Sequence, residues 1–325
     1  MRAPEFWRAD GTASRILSPL GHLYGAIARR RLQREAPRAA LPTIVVGGLT
    51  SGGDGKTPLV IALAKLLAER GERPALLTRG YGKSSRRSTP FPVSPGDDAV
   101  TAGDEAVLLS RCALTIVGAD RAASAKIARE LGATLLILDD GFHSRRLAAD
   151  LTLLVIDSDY GAGNGRCLPA GPLRAPLPAQ LQAADAALII GDGVAGRIFE
   201  AKNRKPVFHA RIIPEKTLAG ARVIGFAGIG RPEKFFRALA EAGAEVVATR
   251  AFPDHHRFSA QDIAGLAALG RQYGAKLVTT EKDAVRLPPG VVCDILPIGL
   301  GFREPGAFLE TLVAALRRAR LSRAS

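Results

Sequence analysis

The chain has 325 residues, enough for more than one hydrophobic core of ordinary size. Lys and Arg number 45 against 31 Asp and Glu, a formal charge of +14. That excess favours a polyanionic partner such as a nucleic acid, an anionic membrane face or a phosphorylated substrate, but with no groove-reading module and no aromatics interleaved with the basic residues, no nucleic acid is expected.

From the N-terminus, residues 14–34 read as one amphipathic helix. Ile16, Leu17, Leu20, Leu23, Tyr24 and Ile27 recur at helical spacing, and Arg29, Arg30, Arg31 and Arg34 follow at once. An apolar stripe with a basic end and Trp7 nearby suits an interfacial membrane helix, although such a stripe also suits a helix docked on its own protein. Pro19, Gly21 and Gly25 interrupt the apolar cluster, so it does not read as a secretory signal. No stretch reaches the roughly 20 apolar residues of a spanning helix.

Next, Ile44-Val45-Val46 leads into a Gly-rich turn, and residues 58–70 read as a helix. Strands are expected at 75–77, 114–117, 135–138, 151–156 and 188–190. These runs are continuously apolar, which means coverage on both faces and a largely parallel sheet. Residues 207–212 alternate between Pro206 and Pro214 and read as an exposed strand or linker ribbon. A second α/β set follows, with strands at 223–227, 246–247, 276–278 and 295–298 and helices near 231–242 and 260–272. A helix over 305–320 closes the chain. The expected organisation is an N-terminal helix (1–36), a nucleotide-binding α/β domain (37–205), a linker ribbon (206–221) and a smaller α/β domain (222–325). Cys112, Cys167 and Cys293 follow no metal or redox spacing and are expected as free thiols in a reducing compartment.

The strongest signal is the loop Thr50-Ser51-Gly52-Gly53-Asp54-Gly55-Lys56-Thr57 between a strand and a helix. Glycines let backbone N–H groups close around phosphate oxygens, and the helix N-terminus adds partial positive charge. Lys56 would reach the β- and γ-phosphates of ATP, and the Thr57 hydroxyl would bind Mg²⁺. Thr50 stands where the strict pattern has Gly, so the loop is a variant. The strand 135–138 ends in Asp139 and Asp140, where a strand-end carboxylate would support the metal; an ordinary turn or cap pair would look the same. Gly103-Asp104-Glu105 reads by itself as a helix start. Asp254-His255-His256 reads as a surface turn or weak metal candidate, and Thr280-Glu281-Lys282-Asp283 as a charged loop. From the residues alone, the chain is a phosphate-loop kinase or an ATPase switch.

Taken together and in order, these motifs resemble the tetraacyldisaccharide 4'-kinase family of lipid A synthesis. The resemblance spans nearly the whole chain: Phe6-Trp7, Pro19-Leu20 and Leu23-Tyr24; Val46 through Pro58; Arg79-Gly80-Tyr81-Gly82; Gly103-Asp104-Glu105; Leu138-Asp139-Asp140-Gly141-Phe142; Leu168-Pro169-Ala170-Gly171-Pro172-Leu173-Arg174; Phe252-Pro253-Asp254-His255-His256; and Thr280 through Ala284. It implies two α/β domains with mainly parallel sheets and a site in the cleft between them. It also implies transfer of the γ-phosphate of ATP to the 4'-hydroxyl of an acylated glucosamine disaccharide 1-phosphate at the cytoplasmic face of the bacterial inner membrane. It assigns Asp104 as base, supported by His255, with Asp139 and Asp140 serving metal and nucleotide. Three departures stand out: Asp54 where a small neutral residue is usual, His143-Ser144 in place of Gln-His, and Ala175 in place of an acid. Asp54 and Ala175 leave room for a non-catalytic lipid binder, and the same loop would serve an ATPase switch or a kinase for a small soluble acceptor.

Overall fold

A computed structural model describes residues 4–80, 89–202 and 204–324; Tyr81 and Gly82 of the Arg-Gly-Tyr-Gly motif lie outside them. After a 3-10 turn at Glu5–Trp7, the elements are α1 (Thr12–Ile16), α2 (Ser18–Leu32), β1 (Thr43–Gly48), α3 (Lys56–Ala68), β2 (Pro74–Thr78), β3 (Phe91–Val93), α4 (Ala99–Ala102), α5 (Asp104–Ser110), β4 (Leu114–Val117), α6 (Arg121–Glu130), β5 (Leu135–Leu138), β6 (Leu151–Asp157), α7 (Leu177–Ala183), β7 (Ala186–Ile190) and α8 (Val194–Lys202). The rest comprises β8 (Val207–Pro214), β9 (Arg222–Ala227), α9 (Pro232–Glu241), β10 (Glu245–Ala251), α10 (Ala260–Tyr273), β11 (Lys276–Thr280), α11 (Glu281–Ala284), β12 (Asp294–Leu296), β13 (Ile298–Phe302) and α12 (Pro305–Ala324).

The larger sheet runs β13-β8-β7-β6-β1-β5-β2-β4-β3, the smaller one β10-β9-β11-β12. Every pairing is parallel except the two outermost of the larger sheet, β13 with β8 and β3 with β4. The continuous apolar runs are explained by helices on both faces. Leu59, Leu63 and Leu67 of α3 and Phe308, Leu312 and Leu316 of α12 cover one face. Leu32, Ala125, Ala128 and Phe199 belong to the layer on the other.

Three expectations are corrected. The helix expected over 14–34 is two pieces that meet at Leu17. Pro19 has no N–H to give the carbonyl of Arg15, so the first helix ends and α2 begins with Pro19 in its first turn, where no donor is needed. The run 295–298 is two strands in different sheets, separated at Pro297: β12 pairs with β11, β13 with β8. Consequently the last part of the segment 222–325 does not stay with the small sheet, because β13 and α12 return to the large one. The expected linker ribbon 206–221 holds β8, a strand inside the large sheet between β7 and β13. Its alternation arises because Phe208 and Ala210 face the buried layer that includes α12. Phe308 is buried against Phe208 at 5.1 Å and Phe302 at 4.6 Å between ring centroids. Phe308→Ala is therefore expected to destabilise the protein by about 3–5 kcal/mol, as for other fully buried Phe truncations. Denaturant titration checks this, and a change below about 1 kcal/mol would place α12 outside the core.

On α2 the glycines make the docking face. A Cβ on Gly21 would lie 2.9 Å from the Cys167 carbonyl oxygen, and one on Gly25 3.0 Å from the Cys167 Sγ. Close approach on that side leaves the apolar stripe of α2 pointing outward: Leu23 is 61% exposed, Leu20 55% and Ile27 51%. Among the described residues no helix is long and apolar enough to cross a membrane.

Candidate active site

In an open parallel sheet, ligands bind outside the carboxyl ends of the strands. Here β1 lies between β5 and β6, so the loop leaving β1 is flanked by Asp139 just past β5 and Asp157 at the end of β6. Gly55 caps α3 at φ 94°, a left-handed conformation that glycine adopts without strain. Between this loop and the small sheet is a cavity of about 420 Å³. Ser51–Thr57, Asp139, Asp140 and Arg174 line one side, and Arg231, Asp254, His255 and Lys282 the other.

Across the cavity, two loops from the small sheet meet the start of α5. Asp104 is the first residue of α5 and is buried. Its Oδ1 accepts from the Glu105 N–H at 2.9 Å. Its Oδ2 faces His255 Nδ1 at 2.9 Å and Arg286 Nε at 3.5 Å. His255 holds φ 57°, a left-handed turn that costs a non-glycine residue energy and points its ring into the cleft. A ring that donates from Nδ1 to the carboxylate presents Nε2 as a proton acceptor. Lys282 Nζ lies 3.4 Å from that Nε2 and 3.0 Å from Glu105 Oε1. Burial alone would raise the Asp104 carboxyl, but the His255 bond and the charges of Lys282, His255 and Arg286 outweigh it, so its pKa falls below the ordinary value. For Lys282, burial opposes the charge, and the carboxylates of Glu105, Asp104 and Asp254 reverse that and raise its pKa. His255 lines the cavity, and Asp104 stands behind it.

The two strand-end acids differ. Both oxygens of Asp140 lie 2.7 Å from Arg174 Nη1. Although burial opposes ionisation, Lys56 and Arg174 hold its pKa well below the usual carboxylate range. Asp139 is buried, and its Oδ1 has no hydrogen-bond partner among the described residues. Burial first, then the charges of Glu105 and Asp140, push its pKa far above the usual range. The structure thus gathers Lys56, Thr57, Asp139, Asp140 and His255 around one cavity, with Asp104 in contact through His255. Sequence reasoning missed Arg231 and Arg286, and left Glu105, Arg174 and Lys282, which its motifs contain, without a role. Lys282 sits in the first turn of α11, which Thr280 caps by accepting from the Asp283 N–H at 2.9 Å. A hydroxyl three residues before an acid was the available signal for that helix.

Residues 13–317 match the sequence family described as Tetraacyldisaccharide-1-P 4'-kinase. The chain belongs to this family. It is 50% identical to the tetraacyldisaccharide 4'-kinase of Methylobacterium nodulans over 99% of its own length and 96% of that protein. It is 46% identical to that of Methylobacterium radiotolerans over 97% and 99%. The crystal structure of LpxK from Aquifex aeolicus in complex with ATP superposes with a TM-score of 0.72 at 27% identity, covering 94% of this chain and 99% of that one.

Against the expected tetraacyldisaccharide kinase pattern, each departure has a local account. Asp54 turns beneath the loop: its Oδ1 accepts from the Thr50 hydroxyl at 2.5 Å and its Oδ2 from the Thr50 N–H at 2.8 Å. Thr50 and Asp54 are thus partners, and the carboxylate is 1% exposed. His143 is held by Gln180 at 2.9 Å, and burial drops its pKa to about 4, which leaves it neutral. Ala175 is buried, and its carbonyl accepts from Gln180 at 2.7 Å.

Proposed function

We propose that this chain transfers the γ-phosphate of ATP to the 4'-hydroxyl of tetraacyldisaccharide 1-phosphate, forming lipid IVA in lipid A synthesis. The observation that carries this reading is the Asp104–His255 pair set across one cavity from Lys56. Phosphoryl transfer asks mainly for positioning and for positive charge on the equatorial oxygens. Lys56 and the loop N–H groups hold the β- and γ-phosphates. The pair takes the hydroxyl proton as the acceptor oxygen attacks phosphorus and ADP leaves, with Asp104 holding the imidazole and stabilising it once protonated.

The donor set suits Mg²⁺, which takes one or two carboxylates plus substrate phosphates. The buried Asp139 Oδ1, without a partner among the described residues, and the Thr57 hydroxyl are hard oxygen donors at the cavity. Asp140, engaged by Arg174, also lines the cavity and would serve the nucleotide site. When bound, the metal neutralises charge on the β- and γ-phosphates. Arg121 is 1% exposed, and its Nε and Nη2 have no partner among the described residues. Burial lowers its pKa, and Asp139 and Asp140 are among the charges that oppose that fall.

The two α/β halves act as domains with the site in the cleft between them, a reading supported by a cavity lined from both. The outward apolar stripe of α2, with Arg29, Arg30, Arg31 and Arg34 exposed at its end, holds the chain on the anionic cytoplasmic face of the inner membrane as a peripheral protein. Binding to vesicles containing anionic lipid is expected to weaken as salt rises from about 0.1 to about 1 M, because the screening length falls from about 10 to about 3 Å. Co-sedimentation measures it, and attachment indifferent to salt would mean apolar insertion alone. The reaction is tested by γ-labelled Mg²⁺-ATP with tetraacyldisaccharide 1-phosphate in detergent micelles. Label in the lipid supports the reading; ATP hydrolysis without labelled lipid would indicate an ATPase switch.

A further inference from the structure

The contact between the phosphate loop and α9 is built from charges that the transfer scheme leaves unused. Asp54 and Asp157 come from the large-sheet half, each with its side chain 1% exposed. Arg231 and Lys234 come from the small-sheet half. Arg231 Nη1 donates to Asp157, an acid that Lys234 Nζ also reaches at 2.5 Å. The guanidinium lies over the Tyr160 ring at 4.3 Å, a favourable cation–π seat. Its stem packs on the loop: a Cβ on Gly53 would lie 3.0 Å from Arg231 Cγ.

The second edge of that guanidinium is under-committed. Nη2 lies 3.4 Å from Asp54 Oδ1 and 3.5 Å from the Gly52 carbonyl oxygen. Good charge-assisted bonds are about 2.7–2.9 Å. Nε makes no hydrogen bond among the described residues. Arg231, Gly52 and Gly53 all line the cavity, and at such a loop N–H groups converge on phosphate. Without Asp54, Arg231 would have only Asp157 as a carboxylate partner, one already shared with Lys234.

We propose that Asp54 is a positioning residue that aims Arg231 at the ATP phosphates, so that the small-sheet half delivers a second cation to the nucleotide beside Lys56. A phosphate takes the Nη2–Nε edge in the two-pronged manner that arginine favours, while Nη1 stays on Asp157. The inference rests on ATP binding as read above. It reverses the simple electrostatic expectation that an acid in a phosphate loop weakens nucleotide binding.

The test is Mg²⁺-ATP affinity by calorimetry on the full chain, with KM for ATP and kcat measured in parallel. Asp54→Asn removes the charge and keeps one acceptor oxygen for the Thr50 N–H, while its amide NH2 can donate to the Thr50 hydroxyl that Oδ1 now accepts from, so it guards against loss of the loop in Asp54→Ala. Asp54→Asn is expected to raise Kd and KM for ATP about fivefold and Arg231→Ala about tenfold. Because the two residues act as one unit, the double variant is expected to be no worse than Arg231→Ala. Arg231→Lys should recover part of the loss. Unchanged or tighter ATP binding by Asp54→Asn would overturn the proposal, as would fully additive effects in the double variant. If the unaltered protein binds ATP but labels no lipid, only the acceptor assignment fails, and the affinity comparison still decides. If it binds no ATP, the reading of the site itself fails.

Discussion

Asp104→Asn lowers kcat for lipid phosphorylation by about 10²–10⁴-fold, the range for loss of a positioned acid–base group, and leaves ATP affinity essentially unchanged. Asn has nearly the same shape, can still accept from the Glu105 N–H and is tolerated at helix starts, so α5 survives. What disappears is the anion that holds His255 at 2.9 Å and stabilises its charge after proton uptake. Because the Asp104 pKa is lowered, it stays ionised through neutral pH and loses its charge only below the ordinary carboxylate value of about 4. The sign follows: any stability this carboxylate lends is present above that value and fades as pH falls through the lowered pKa. Any loss of rate between about pH 5 and 7 must then come from another group. Unfolding of Asp104→Asn with no change in kcat per folded molecule would reduce Asp104 to a structural cap.

Lys56→Ala abolishes detectable transfer, a loss of about 10²–10³-fold or more, as expected when a preorganised charge facing the transition state is removed. Two effects combine. The β- and γ-phosphates lose their cation, and the acids lose a neighbour whose charge lowers the pKa of both Asp139 and Asp140. Asp139, already pushed upward by burial, becomes still harder to ionise. The readout is label transfer alongside thermal unfolding, and near-normal turnover in a folded variant would remove Lys56 from the site.

The phosphate loop was legible because its chemistry is local. Glycines, a lysine and a threonine at fixed spacing between strand and helix state their use in one line of sequence. Asp139 was legible for the same reason, as an acid ending an apolar strand. Arg231 was not, because a single arginine before a proline has no pattern; only the tertiary placement of α9 brings it to Gly53. Lys282 looked like one charge in a charged loop until the fold put Glu105 and His255 beside it. The stripe on α2 was read correctly as apolar, but its direction depended on Gly21 and Gly25, residues that look like interruptions and are the points of closest approach. The largest misplacement, residues 298–324, turned on Pro297. One apolar run broken by a proline gives no sign that its two halves pair in different sheets.

That return path has a consequence in time. Pro214 and Ile298 are partners on one rung of the β8–β13 ladder, so the small sheet is an excursion that leaves the large sheet and rejoins it at the same place. In the chain, α12 follows every other element, yet it covers part of the face that α3 also covers. During synthesis from the N-terminus, that stretch of β6, β7 and β8 must wait uncovered until the excursion is complete. The half that binds phosphate therefore cannot finish folding before the half that carries His255 has been made.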